Sequence, residues 1–176
     1  MTDAPLWTPG AERAASANLT AFIDWVRARH DIGGRRYADL HAWSLAQPAD
    51  FWCAVWDFCG VRASTRGATV VEHPERMPGA RWFPEARLNY AENLLRGHGD
   101  GDALVFWGEE RIRRRLSHAE LREHVARFAN ALKAAGVVAG DRVAGYMPNL
   151  PETLVAMLAT ASLGAVWTSC SPDFGP

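Results

Sequence analysis

Arg142-Val143-Ala144-Gly145-Tyr146, the loop Pro148-Asn149-Leu150-Pro151, an apolar stretch to Gly164 and then Ala165-Val166-Trp167-Thr168-Ser169 read in order as strand, loop, helix and strand. The two flanking runs are short and apolar, as strands are, whereas the stretch between them has helix length. Pro151 suits the first helical position, where its missing N–H is no loss. Upstream, Ser117-His118-Ala119-Glu120 has the spacing of a capping box. There the serine oxygen accepts a backbone N–H while the glutamate reaches back. The helix it opens carries Leu121, Val125, Phe128, Ala129 and Leu132 on one face and stops at Gly136. Before it, Ala103–Trp107 is an apolar strand, and Gly108-Glu109-Glu110 makes a hairpin turn into Arg111–Leu116, where Ile112 and Leu116 alternate with arginines. From Leu116 the order is strand, helix, strand, helix, strand, an alternation that builds a parallel sheet through crossover connections. The expected class is α/β, with an opening βαβαβ unit in the second half of the chain.

The first half, up to about Leu95, is rich in tryptophan and loops and is expected to be helical. Leu19, Phe22, Ile23 and Val26 follow helical spacing, with Gly33-Gly34 as the stop. A second helix is expected over Tyr37–Ala46. A third starts at Pro48, carries Phe51, Trp52, Val55, Trp56 and Cys59 as an apolar stripe, and closes at Gly60. Glu72–Pro84, with three prolines and Gly79, reads as an extended loop, and Ala86–Leu95 again as helix. Gly97-His98-Gly99-Asp100-Gly101 is a turn, since G-x-G-x-G lacks the spacing of a phosphate-binding glycine loop.

Composition narrows the function classes. The 176 residues are 48% hydrophobic and 22% charged, with 19 basic and 20 acidic residues and a net charge of −1. That balance argues against a dedicated nucleic-acid surface, which needs a basic excess on one face. The basic residues are almost all arginine, Lys133 being the one lysine. Cys53, Cys59 and Cys170 form neither a disulfide framework nor a zinc spacing and read as buried free thiols of a reducing compartment. Met1–Pro5 has no secretory pattern, and Leu154–Trp167 is too short and too broken for a span of roughly 20 apolar residues. A cytoplasmic protein with no membrane partner is expected.

Taken singly, the reactive side chains carry little chemistry. His30, His41, His73, His98, His118 and His124 show no metal-ligand spacing, and no G-x-S-x-G elbow supports a hydrolase serine. Arg111, Arg113, Arg114 and Arg115 read as a solvated or salt-bridged strand face. Trp52 and Trp56, one helical turn apart, read as core or interface anchors.

The order of three segments says more. These are Arg81-Trp82-Phe83-Pro84 through Leu88-Asn89-Tyr90-Ala91-Glu92-Asn93-Leu94-Leu95; Tyr146-Met147-Pro148-Asn149-Leu150-Pro151-Glu152; and Gly164-Ala165-Val166 through Ser171-Pro172-Asp173-Phe174-Gly175. Together with Trp7-Thr8-Pro9 and Asp50-Phe51-Trp52, they resemble the N-terminal part of the adenylate-forming acyl-CoA synthetases, in their acetoacetate–CoA ligase (acetoacetyl-CoA synthetase) branch. The resemblance covers nearly the whole chain. It implies residues 1–95 as an N-terminal lid region and residues 96–176 as the start of an AMP-binding domain with a parallel nucleotide-binding sheet.

It also implies a two-step reaction. A carboxylate attacks the α-phosphate of Mg-ATP and releases pyrophosphate, and the thiol of CoA then displaces AMP. Such chemistry needs a loop and a cation to hold migrating negative charge, and a lysine to meet the carboxylate and phosphate. In the family these lie in a Ser/Thr/Gly-rich phosphate loop and later motifs that this sequence does not contain. Lys133 stands near a helix end, where a cation suits the dipole. The expectation is therefore a fragment without catalytic residues or metal ligands, whose longer relatives use ATP, CoA and Mg2+ and take acetoacetate, none of which is expected to bind the fragment tightly. By position, Ser171, Pro172 and Asp173 form the loop that approaches CoA, although they replace two glycines and an aromatic residue of related synthetases. Two other classes compete. A dinucleotide-binding module predicts a glycine-rich turn after its first strand, and Leu116–Glu120 holds no glycine. A purely structural or interaction piece predicts self-association through open sheet edges on Ala103–Trp107 and Ala165–Ser169.

Overall fold

The computed structural model of the chain describes residues 6–97, 99–109 and 112–174. It divides into two compact units, Met1–Val61 with Arg66–Ala86, and Arg62–Thr65 with Arg87–Pro176.

The first unit is helical: α1 (Ala11–Ala15), α2 (Asn18–Arg27), α3 (Tyr37–Ala46) and α4 (Pro48–Phe58), followed by the antiparallel two-residue strands β1 (Val71–Glu72) and β2 (Arg81–Trp82). Pro48 sits at the start of α4 as the sequence suggested, and Gly60, just past its end, adopts a left-handed φ of 59°. The core is Phe22, Ile23, Val26, Ile32, Leu40, Trp43 and Ala54, with Trp25, Phe51, Val55 and Phe58 packed against it. Its aromatic rings meet edge-on or tilted, as for Phe22–Phe58 at 5.0 Å and Trp43–Phe51 at 6.1 Å. These are the arrangements that ring quadrupoles favour.

Several expectations shift here. α2 ends at Arg27 rather than at Gly33, because the chain must turn inward to bury Ile32 and to lay His30 against Trp43, ring centroids 5.0 Å apart. Across the expected loop Glu72–Pro84, β1 at its start and β2 near its end pair over two residues each. The thiols are not buried: Cys59 and Cys170 are exposed and Cys53 is half-buried. Cys59 lies at the α4 C-cap and Cys170 at the end of a strand, where packing leaves them open. Trp52 is 45% exposed and rests on Trp82 at 5.9 Å, so it lies on the surface rather than in the core.

The second unit mixes helices and strands: α5 (Tyr90–Leu94), β3 (Asp102–Trp107), β4 (Arg113–Ser117), α6 (His118–Ala134), β5 (Arg142–Tyr146), α7 (Pro151–Ser162) and β6 (Val166–Cys170). Leu121, Val125 and Ala129 of α6 and Val155, Leu158 and Ala159 of α7 form its core together with Ala91. The Ser117 capping box is realised: Ser117 Oγ accepts from the Glu120 N–H, and the Glu120 carboxylate accepts from the Ser117 N–H at 2.8 Å.

The continuous βαβαβ sheet expected from sequence is not what the described residues form. β4 pairs antiparallel with β3, whereas β5 and β6 make a separate parallel pair across α7. Hence one parallel βαβ unit follows one hairpin. The β3–β4 pairing is the hairpin that the Gly108-Glu109-Glu110 turn predicts, and a hairpin closes with far less chain than a crossover. Two residues of that turn, Glu110 and Arg111, lie outside the described residues, as do Met1–Pro5, His98, Gly175 and Pro176. The expected helix Ala86–Leu95 shortens to α5, because the backbone of Arg87 bridges to Thr65, its N–H donating to the Thr65 carbonyl at 2.8 Å.

Candidate functional site

The parallel pair β5–β6 runs in register from Arg142↔Val166 to Tyr146↔Cys170, so both strands reach their C-terminal ends side by side. Ligands of open α/β sheets gather at such carboxyl ends, because the loops there face outward from the sheet. Gly145 allows the pairing: a Cβ there would stand 2.5 Å from the Trp167 ring. Beyond β5 lies Met147–Leu150 and beyond β6 lies Ser171–Phe174. Ser171, Pro172 and Asp173 therefore directly follow the carboxyl edge of the β5–β6 pair.

That loop is a closed turn. Ser171 Oγ donates to the Asp173 carboxylate at 2.7 Å and accepts the Asp173 N–H at 3.2 Å, while the Phe174 N–H donates to the Ser171 carbonyl at 3.1 Å. Tyr146 Oη lies within hydrogen-bonding reach of the Pro172 and Phe174 carbonyls, at 3.1 and 3.2 Å. Pro172 carries no N–H and those of Asp173 and Phe174 are engaged, so the distinctive charge of the turn is the Asp173 carboxylate. Its chemistry suits a ligand that donates N–H or O–H. It does not suit a phosphate.

Behind this edge, β4, α6 and α7 enclose a cavity of about 170 Å³ walled by Leu116, Phe128, Met147, Pro151, Val155 and Ala156. Its polar pole is Arg114, Glu152 and His124. The Arg114 guanidinium lies 2.6 Å from Glu152 in the first turn of α7. Its hydrogen bond to Glu152 holds that carboxyl below the usual glutamate range, against partial desolvation. Of the other arginines in the run, Arg115 pairs with Asp102 and Arg113 stacks over Trp107 at 4.6 Å, as expected of a salt-bridged face, and Arg111 lies outside the described residues.

Lys133 lies in the last turn of α6, and among the described residues no group of three or more His, Cys, Asp or Glu is placed to hold a metal ion.

Sequence reasoning missed what the Asn89–Asn93 segment does. Asn89 Oδ1 caps α5 by accepting the Glu92 N–H, while its Nδ2 donates to the carbonyls of Ala161 and Ser162 at the end of α7, at 3.0 and 3.2 Å. Asn93 pairs with both backbone groups of Arg62, each at 2.9 Å. Two asparagines four apart, one of them just before a helix, were the available signal; short amide side chains there cap and crosslink. Likewise Glu85 accepts the N–H groups of Ala68 and Thr69 and the Thr69 hydroxyl, which hold its carboxyl below the ordinary range. These motif residues build the scaffold and leave chemistry to others.

Comparisons with known proteins agree with this picture. Residues 37–94 match the family described as acetyl-coenzyme A synthetase N-terminus, and residues 91–176 match the AMP-binding enzyme family. An acetoacetyl-coenzyme A synthetase of Rhizobium meliloti is 51% identical over 97% of this chain and 26% of its own length. A malonamoyl-CoA synthetase of Penicillium aethiopicum is 40% identical over 97% of this chain. The solved structure of acetoacetyl-CoA synthetase from Streptomyces lividans superposes with a TM-score of 0.87 at 48% identity, covering 98% of this chain and 27% of that one. The chain thus spans about a quarter of the length of the relatives it matches. With the two family segments in order and this likeness along nearly its whole length, the chain belongs to the AMP-binding acyl-CoA synthetases and resembles the acetoacetyl-CoA synthetases among them.

Proposed function

We propose that these residues serve as the N-terminal part of an acetoacetate–CoA ligase, which joins acetoacetate to CoA and converts ATP to AMP and pyrophosphate. The observation that carries the reading is 51% identity to an acetoacetyl-coenzyme A synthetase across 97% of the chain. Residues 1–95 are assigned to the N-terminal lid region and 96–176 to the start of the AMP-binding domain, with β5–α7–β6 as the first parallel crossover of its sheet. A cytoplasmic location, without nucleic-acid or membrane partners, is part of the same proposal, and the near-neutral charge supports it as regards nucleic acid.

Within such a ligase this segment frames the site. Mg2+ supplies charge neutralisation at the phosphates when bound, and the residues described here do not fit it, having no clustered ligands. Triphosphate and metal are therefore assigned to residues outside these 176. Ser171, Pro172 and Asp173 are assigned to the CoA approach. Through the Asp173 carboxylate the turn meets a neutral, hydrogen-donating portion of the ligand. Tyr146 holds that turn in place.

The decisive experiment replaces the matching quarter of the Streptomyces lividans enzyme with these 176 residues and measures acetoacetate-dependent pyrophosphate release. Activity near that of the parent is expected, with no turnover by the 176 residues alone. A folded but inactive chimera overturns the reading. A chimera that now prefers acetate or propionate assigns the segment to another short-chain synthetase.

A further inference from the structure

The C-terminal turn of α2 and the loop after it, residues 27–34, curl into an open polar bowl of about 380 Å³. This stretch precedes both matched family segments and plays no part in the proposed reaction. Its rim carries Arg27, Arg29 and His30, against the single carboxylate of Asp31. The next two arginines are already neutralised, Arg35 by Asp24 at 2.5 Å and Arg36 by Asp39 at 2.9 Å. Arg27 has no ion-pair or hydrogen-bond partner among the described residues. Arg29 is fixed over the Trp25 ring at 3.9 Å and donates to the Trp25 carbonyl at 2.9 Å through Nη1, which leaves its other N–H groups without an acceptor among the described residues.

The backbone adds donors. Asp31 Oδ1 accepts the Gly33 N–H at 3.1 Å, but the N–H groups of Asp31, Ile32 and Gly34 have no acceptor among the described residues. Gly33 is left-handed at φ 77°, and a Cβ on Gly34 would stand 2.2 Å from the Asp39 carboxylate, so both positions need glycine. Without side chains there, the amides stay open. The loop is held from beneath, since Ile32 is buried in the core and His30 packs on Trp43. Fixed backbone N–H groups flanked by guanidiniums make an anion site whose donors need little rearrangement to bind.

We infer that the bowl of residues 27–34 binds a small phosphate-type oxyanion, with Arg27 and the open amides of Asp31, Ile32 and Gly34 as its donors. Arg29 forks toward the same anion from its seat on Trp25. Asp31 opposes the anion and keeps affinity modest. The inference is independent of the proposed ligase activity, because no adenylate transfer enters it.

The test titrates the 176-residue chain with sodium pyrophosphate at low ionic strength and follows backbone amide and arginine side-chain NMR signals. Saturable shifts confined to residues 27–34 are expected, fading as salt shortens the screening length below about 10 Å. Arg27→Ala should weaken binding roughly threefold and Arg27→Glu roughly tenfold. Asp31→Asn should tighten it roughly twofold, a gain that misfolding cannot imitate. Parallel titrations with anionic phospholipid vesicles and a short DNA duplex separate the sources of phosphate. Tighter capture of either through the same residues overturns the small-anion assignment. Shifts spread equally over Arg113–Arg115, or affinity indifferent to Arg27→Glu and Asp31→Asn, overturn the site itself.

Discussion

Asn89 shows how one side chain can carry a motif. It caps α5 with its oxygen and ties down the last carbonyls of α7 with its nitrogen. Asn89→Ala removes both and should destabilise the second unit by about 2 kcal/mol, read as a lower urea midpoint. Asn89→Asp keeps the capping oxygen and should recover about half of that loss. Glu85 adds a pH signature. Its folded carboxyl titrates below the ordinary value of about 4.3, so its stabilisation is complete above that pH and is lost as pH falls through the lower folded value. Glu85→Gln should therefore flatten the acid limb of a stability–pH curve and leave the neutral plateau parallel to it. An unchanged acid limb would show that the Ala68 and Thr69 donors do not hold the carboxylate in solution. From residue types alone Glu85 was one more surface glutamate, because its partners lie sixteen and seventeen residues away.

Among the elements, those with their own punctuation were legible. Ser117 and Glu120 mark the start of α6, Pro48 and Pro151 open α4 and α7, and β5 spans the residues its pattern indicates. Each of these signals acts within one turn of chain. Ser117→Ala should cost about 1 kcal/mol, seen as faster amide exchange in the first turn of α6 with α7 less affected. Elements shaped from outside were misjudged. α5 is cut short by the pairing of Arg87 with Thr65, and α2 by the need to bury Ile32. The β5–β6 pair supplies a further check. Gly145→Ala places a methyl group into the Trp167 ring, which should destabilise the unit by about 1–3 kcal/mol and alter Trp167 fluorescence.

For the molecule as a whole, the described strands leave apolar surface open: Val105 is 51% exposed, Trp107 66% and Val166 53%. Two-stranded sheets with free edges invite pairing with other chains. The isolated 176 residues should therefore show an apparent mass that rises with concentration in light scattering, and Val105→Lys together with Val166→Lys should lower it. A concentration-independent monomer would show that these edges are protected in solution. Helix caps, strand lengths, the salt-bridged arginine face and the family likeness were all present in the amino-acid order, since each depends on neighbours a few positions apart or on ordered motifs. Tertiary structure alone decided that β4 does not join β5 in one sheet, that Asn89 reaches α7 some seventy residues on, and that the amides after Asp31 stay open while those after Ser171 close. These outcomes rest on which distant groups compete for the same hydrogen bonds and buried space, and that competition exists only once the chain has folded.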